Sequence, residues 1–167
     1  MKQFALIALV VCTAALGTPA LGQHDTAHPV EITGDTWVRA TPPNRTVTAG
    51  YLAIRNNGDE VRRMVGASST VAGRAELHTH IHDHESGMMR MRHVEFIELP
   101  PGETVRLAPG GLHIMLMDLT RDLQPGMTVP LSLEFDDGHR LEVEVEVHRE
   151  APHAPGHGDH GHNHHRH

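Results

Sequence analysis

The feature that most constrains this chain is its punctuation. Clusters of turn-forming residues recur through the body of the sequence: Pro42-Pro43-Asn44, Asn56-Asn57-Gly58-Asp59, Pro100-Pro101-Gly102, Pro109-Gly110-Gly111, Gln124-Pro125-Gly126 and Asp136-Asp137-Gly138. Between them the sequence has hardly any helical period; it alternates, or runs apolar, over strand-sized stretches. Strands are expected over Thr36–Ala40, Thr46–Arg55, Val61–Ser68, Ala75–His80, Met88–His93, Glu95–Leu99, Thr104–Leu107, Gly111–Leu119, Thr128–Phe135 and Arg140–Val147. Roughly nine or ten short strands in about 120 residues point to an all-β Greek-key sandwich or barrel. A core of Val, Leu, Ile and Ala can be buried at this size.

The last strand shows the pattern most clearly. Leu141, Val143, Val145 and Val147 alternate with Glu142, Glu144 and Glu146, so one face is core and the other is a solvated row of acids. Asp137-Gly138, lying between this strand and Leu131–Phe135, reads as a hairpin turn.

The two ends read differently from the body. Lys2, an apolar stretch from Phe4 to Leu16 and the small residues ending at Ala20-Leu21-Gly22 form a secretory signal peptide pattern over residues 1–22. The apolar stretch is too short for a stable membrane span. Residues 23–30, with His24 and His28, make a polar lead-in, and the domain body runs over 31–147. Residues 148–167 hold Gly, Pro, Asp and many His and no large apolar side chain. Such a tail cannot bury a core and is expected to be disordered without a ligand.

Cys12 is the sole cysteine, and it lies inside the signal. The exported chain is therefore expected to have no thiol, which excludes disulfide scaffolds, thiolate metal sites and thiol catalysis. A lipid anchor is also disfavoured, because Cys12 sits in the apolar core of the signal after the bulky Val11. A formal net charge of −7 argues against nucleic acid as a partner.

Against that background, 17 His and 8 Met stand out beside three Phe, one Tyr and one Trp. Three segments gather them in the body: Glu76-Leu77-His78-Thr79-His80, Met88-Met89-Arg90-Met91-Arg92-His93 and Gly111-Leu112-His113-Ile114-Met115-Leu116-Met117. On a strand the two-residue period puts His113, Met115 and Met117 on one face and Ile114 and Leu116 on the other; Met89, Met91 and His93 likewise share a face. Single methionines are most often core filler, the reading given to Met64, Met88, Met117 and Met127. The His-x-Met pattern beside a Met-rich strand and an upstream Leu-His-x-His carries more. Thioethers are soft, uncharged donors that suit Cu(I) and serve zinc, magnesium or calcium poorly, and a blue-copper electron-transfer site would need a thiolate. The residues point to copper carriage rather than electron relay.

The same residues carry a resemblance. Gly50-Tyr51-Leu52, Val65-Gly66-Ala67-Ser68-Ser69, Glu76-Leu77-His78-Thr79-His80, Met89-Arg90-Met91-Arg92, Leu107-Ala108-Pro109-Gly110-Gly111 and His113-Ile114-Met115-Leu116-Met117 resemble the PCu(A)C family of periplasmic copper chaperones, associated with assembly of the CuA centre of cytochrome oxidase. The likeness spans Val38 to Val147. It implies a cupredoxin-like β-barrel and a surface Cu(I) site whose ligands, carried over, are His78, Met91, His113 and Met115; no enzyme is expected, since the residues show no Ser-His-Asp arrangement, phosphate loop or paired-carboxylate site. It also implies a cytochrome oxidase CuA domain or another periplasmic copper protein as the recipient. The stretch between His78 and Met91 is about two residues longer than the family pattern, so a register using His80 remains open beside the one using His78, which has the Glu-Leu-His context. His80, His82, His84 and Met89 are either accessory metal residues or incidental members of a solvated loop.

In the tail, His153, His157, His160, His162, His164, His165 and His167 can wrap Cu(II) once neutral, with poor selectivity. The expected protein is thus a periplasmic, monomeric copper chaperone. Copper or zinc buffering without a specific recipient is the alternative.

Overall fold

The structure, a computed structural model, describes residues 28–82 and 87–152. The expected signal peptide, His24, His84 and the tail histidines from His153 onward lie outside the described residues.

The described chain is all strand and turn. In order it forms β1 (Val30–Arg39), β2 (Val47–Asn56), β3 (Arg62–Ser68), β4 (Ala72–His82), β5 (Met89–His93), β6 (Ile97–Leu99), β7 (Thr104–Leu107), β8 (His113–Leu119), β9 (Thr128–Phe135) and β10 (Arg140–His148). One hydrogen-bonded path runs β5-β4-β8-β2-β1-β10-β9-β3-β6. β2 is the hub. Its first half pairs with β8, from Val47 opposite Met117 to Gly50 opposite Ile114, and its second half pairs with β7, from Leu52 opposite Leu107 to Arg55 opposite Thr104. Every pair is antiparallel except β1 with β10, which run parallel where Trp37, Val38 and Arg39 meet Glu146, Val147 and His148.

This long, twisted path coils around one core. Val38, Leu52, Ile54, Met64, Leu77, Ile97, Leu99, Ile114, Leu116, Leu131, Leu133, Phe135, Val145 and Val147 belong to a single buried apolar cluster. The alternation read along β10 is realised: Val145 and Val147 are buried while Glu142, Glu144 and Glu146 face solvent. β2 instead buries an almost unbroken run from Thr48 to Ile54, as a strand with neighbours on both edges and packing on both faces must. At its end, Asn56 is fully buried, yet its side-chain amide donates to the Glu60 and Leu99 carbonyls at 2.7 and 2.8 Å and its Oδ1 accepts from the Gly58 N–H at 3.0 Å. The buried polar group is therefore satisfied and ties two loops to the strand.

Several strands extend further than the sequence pattern indicates; β4 runs Ala72–His82 rather than Ala75–His80. β1 begins at Val30 rather than Thr36, because Thr33-Gly34-Asp35 forms a bulge inside the strand instead of ending it. Gly34 takes φ +72 there, a left-handed conformation that glycine adopts without steric cost. β10 continues one residue past Val147, with the Ala40 N–H donating to the His148 carbonyl at 2.8 Å. The hairpin between β9 and β10 closes through the Gly138 N–H on the Phe135 carbonyl at 3.0 Å, with Gly138 at φ +82.

The methionines divide. Met64 is fully buried and Met127 packs against the core, as expected of filler. Met117 is only half-buried, its sulfur 3.9 Å from an Arg74 guanidinium nitrogen. Met88, expected in the core, is 56% exposed, since it leads into the sheet-edge strand β5, every residue of which is exposed.

These packing assignments predict a contrast. Leu133→Ala should lower unfolding free energy by about 2–5 kcal/mol, the range for a buried leucine truncated to alanine. Glu144→Ala should stay within about 0.5 kcal/mol. Urea denaturation of both variants measures it.

Candidate metal centre

The outer face of the sheet around β8 gathers the chemistry. Antiparallel pairing fixes which side chains meet: His78 lies opposite His113 on β8 and opposite His93 on β5, and His80 lies opposite Met91. Met115 lies between Glu76 on β4 and Ala49 on β2. Since directly paired residues share a face, one surface carries His78, His80 and His82 of β4, Met89, Met91 and His93 of β5, and His113, Met115 and Met117 of β8.

A cleft of ≈490 Å³ opens on this surface. His80, Met91, His113 and Met115 line one side; Arg39, Arg45, Val47, Ala49 and Tyr51 are on its other walls. His78 is not among the lining residues. Its Nε2 is 3.0 Å from Glu76 Oε2, and its ring meets His113 at 5.8 Å between centroids. His80 stacks on His113 more closely, at 4.9 Å. Of the accessory candidates, Met89 and His82 lie further along the same face and are exposed.

One backbone carbonyl orders the two imidazoles. The Gly111 oxygen is 3.0 Å from His113 Nδ1 and 3.4 Å from His80 Nδ1. A carbonyl can only accept, so each contact calls for the proton on Nδ1 and leaves Nε2 with its lone pair. His113 Nε2 is buried with no hydrogen-bond partner, as is His78 Nδ1. An orphaned, desolvated lone pair is costly unless something electropositive meets it. His113 itself is 1% exposed. Burial pushes its pKa below the ordinary 6.5; the Gly111 bond opposes that shift, and the neighbouring His80 and His78 reinforce it. The imidazole is thus kept neutral, the form that ligates. Glu76 is held below the usual carboxylate range, chiefly by its bond from His78.

The wall behind His113 is aromatic. Tyr51, the chain's single Tyr, lies 6.4 Å from the His113 ring, and Trp37, its single Trp, packs behind Tyr51 at 4.5 Å. Burial raises the Tyr51 pKa, with the Arg39 guanidinium opposing the rise. Among the described residues, no three His, Cys, Asp or Glu side chains form a group able to hold a metal by themselves. Two thioethers line the cleft beside the two imidazoles, and thioether sulfur favours soft ions.

Strand spacing alone did not reveal the Gly111 carbonyl, the Trp37–Tyr51 wall or the two cleft arginines. Pro109-Gly110-Gly111 was legible as a turn, but not the direction of its last carbonyl. Trp37 and Tyr51 come from strands remote in sequence.

The family model described as "Putative lipoprotein LpqE-like" matches residues 32–147. The chain belongs to this family, that of the PCuAC domains. It is 32% identical over 142 residues to "Putative lipoprotein Lxx21020" of Leifsonia xyli subsp. xyli, covering 85% of this chain and 83% of that protein. Among solved structures, CuI-DR1885 of Deinococcus radiodurans matches with TM-score 0.58 and 33% identity over 77% of this chain and 85% of that one. The copper-bound PCuAC domain from PmoF2 matches with TM-score 0.60 and 25% identity over 74% and 94% of the two chains. The all-β, cupredoxin-like fold implied by the sequence resemblance is the fold observed for this PCuAC chain.

The burial of His113 predicts a pH signature in the metal-free protein. The native state keeps His113 neutral below the ordinary value, so between the two pKa values the unfolded chain binds more protons. Stability should therefore fall as pH drops from about 7.5 through 6.5 towards 5. His113→Gln should flatten that slope in urea melts recorded across the range. Carboxylate protonation, including that of Glu76, lies below this window.

Proposed function

We propose that this PCuAC chain is an exported copper chaperone that carries Cu(I) as cargo on His80, Met91, His113 and Met115. It is a carrier rather than an enzyme, and it passes the ion to another copper protein, the CuA centre of cytochrome oxidase being the recipient that fits the family. The observation that carries this reading is the cleft itself: two imidazoles with Nε2 lone pairs available face two thioethers, with no thiolate or carboxylate among the four. Such a donor set suits Cu(I) over Zn(II). Copper-bound and CuI states of the structurally similar domains support the same cargo. The cleft is open at the surface, and Met91 is 46% exposed, so an acceptor can reach the ion directly.

His80 takes the place that the Glu-Leu-His context would give His78. His80 lines the cleft opposite Met91, whereas His78 turns its Nε2 to Glu76. His78 is then a neighbour of the site and not a ligand. The leader at residues 1–22 would deliver the protein to the periplasm, where the mature chain works as a monomer.

Competition with a chromogenic Cu(I) chelator tests this. A chain ending at Pro152 should bind one Cu(I) and prefer it strongly to Zn(II). His80→Ala, Met91→Ala and Met115→Ala should each weaken Cu(I) binding by about 10–100-fold, while His78→Ala should have a smaller effect. Comparable Zn(II) and Cu(I) affinities would defeat the reading, and a larger loss for His78→Ala than for His80→Ala would restore His78 as the ligand.

A second reading, copper or zinc buffering, is favoured only by the His-rich tail. Deleting residues 153–167 should leave Cu(I) affinity unchanged and remove most Cu(II) bound beyond one ion per chain. Equilibrium dialysis of the full and shortened chains reads the stoichiometry. If the full chain never yields Cu(I) to an apo CuA domain, the buffer reading prevails.

A further inference from the structure

The cleft is the inner end of a longer arrangement of donors. Beyond His78, which lies opposite His113, β4 makes no further pair with β8, and its only strand partner is β5. Along this arm three rungs of the ladder set donor beside donor on the face of the cleft: His78 opposite His93, His80 opposite Met91, and His82 opposite Met89. Residues directly opposite in an antiparallel pair hold their Cβ atoms about 5 Å apart, and successive rungs on one face are about 7 Å apart along the strands.

The three rungs differ in chemistry. His78 turns its Nε2 to Glu76 Oε2 at 3.0 Å and meets His93 edge-on at 5.7 Å, so the inner rung offers imidazole and carboxylate but no sulfur. His80 and Met91 line the cleft. His82 and Met89 make the outermost rung, since β4 ends at His82 and β5 begins at Met89. Met89 is 53% exposed and His82 is exposed, so this rung is open to solvent. Met117, on the same face, is a poorer candidate: its sulfur lies 3.9 Å from an Arg74 guanidinium nitrogen, a cation that disfavours a second cation there.

We propose that His82 and Met89 form a second Cu(I) site, one rung out from the cleft, through which the ion enters and leaves it. A neutral imidazole facing a thioether can hold Cu(I), which accepts as few as two donors, whereas Zn(II) asks for four and favours nitrogen, thiolate or carboxylate. Two donors against four make this the weaker site. It fills after the cleft, and a chelator competition that counts the tightly held ion does not count it. The site stands on the rung geometry, while its part in transit rests on the chaperone reading. In a transit step a bond to Met91 sulfur or His80 Nε2 forms as one to Met89 or His82 breaks. Copper stays Cu(I) and no proton moves, because thioether and neutral imidazole bring only lone pairs. An ion parked about 7 Å from the cleft is presented to it at an effective concentration on the order of millimolar or more.

Anaerobic titration of the full chain with Cu(I), followed by NMR of the methionine methyl groups and histidine rings, tests the proposal. The first equivalent should move the Met91 and Met115 methyls. Further Cu(I) should move the Met89 methyl and the His82 ring together, with an affinity about ten-fold or more weaker, while the Met88 methyl, which has no histidine opposite it, stays in place. His82→Ala should abolish the Met89 shift and Met89→Leu the His82 shift, both leaving the Met91 and Met115 shifts intact. Met89→Leu should also slow Cu(I) loading of the cleft by about three-fold or more. A Met89 methyl that never moves in excess Cu(I), or that moves no more than Met88, would overturn the second site and leave the cleft standing. Movement of Met89 with Met91 in the first equivalent would overturn it by making Met89 a ligand of the cleft ion. Shifts at Met89 and His82 with Met91 and Met115 silent would overturn carriage in the cleft and keep the rung. An unchanged loading rate in Met89→Leu would overturn transit and keep the site.

Discussion

Everything at the cleft depends on the register of β8 between β2 and β4. With Ile114 opposite Gly50 and Leu77, the isoleucine and Leu116 point into the core, and His113, Met115 and Met117 point out. A slip of one residue would turn two thioethers and an imidazole into the apolar core and expose the two best-packed aliphatic side chains of the strand. The apolar core thus holds the register, and the register places the donors. The metal need not organise them.

The second level of order is electrostatic. A single carbonyl, that of Gly111, meets the Nδ1 atoms of two imidazoles and also accepts from the His80 backbone N–H at 3.3 Å. It fixes two tautomers from one point. Burial of His113, with Tyr51 beside it, then disfavours its protonation. Preorganised lone pairs beside uncharged sulfur would make a site that needs no carboxylate, and the Glu76 carboxylate, on the strand position opposite Met115, is occupied by His78.

The strands were readable because the constraint on them is local. Alternation along β10, the turn at Asp137-Gly138 and the His-x-Met face of β8 all follow from a two-residue period. What the local period leaves open is tertiary. Residues 30–35 carry no strand expectation, because the bulge at Thr33-Gly34-Asp35 interrupts the two-residue period. Met88 looked like filler because its edge position depends on the pairing order of the sheet. His78 and His80 share a face, so no argument from period could separate them; only the pairing of β4 with β5 sets His80 against Met91. The aromatic pair and the two cleft arginines, Arg39 and Arg45, bring together residues from β1, β2 and the loop between them, and no local pattern announces such a convergence.

One strand stands apart in how firmly it is held. β5 lies at the end of the hydrogen-bonded path, pairs with β4 alone, and buries none of its five residues. Edges of this kind fray at far lower free energy than the body of a sheet. The sulfur of Met91 therefore sits on the least anchored element of the cleft, while His80, His113 and Met115 sit on strands flanked on both sides. On the proposed ligand set, opening the edge would lower the coordination number by one and leave the barrel standing. A vacated coordination position is what an incoming acceptor sulfur or imidazole requires, so the weakest strand of the sheet is also the natural place for ligand exchange to begin.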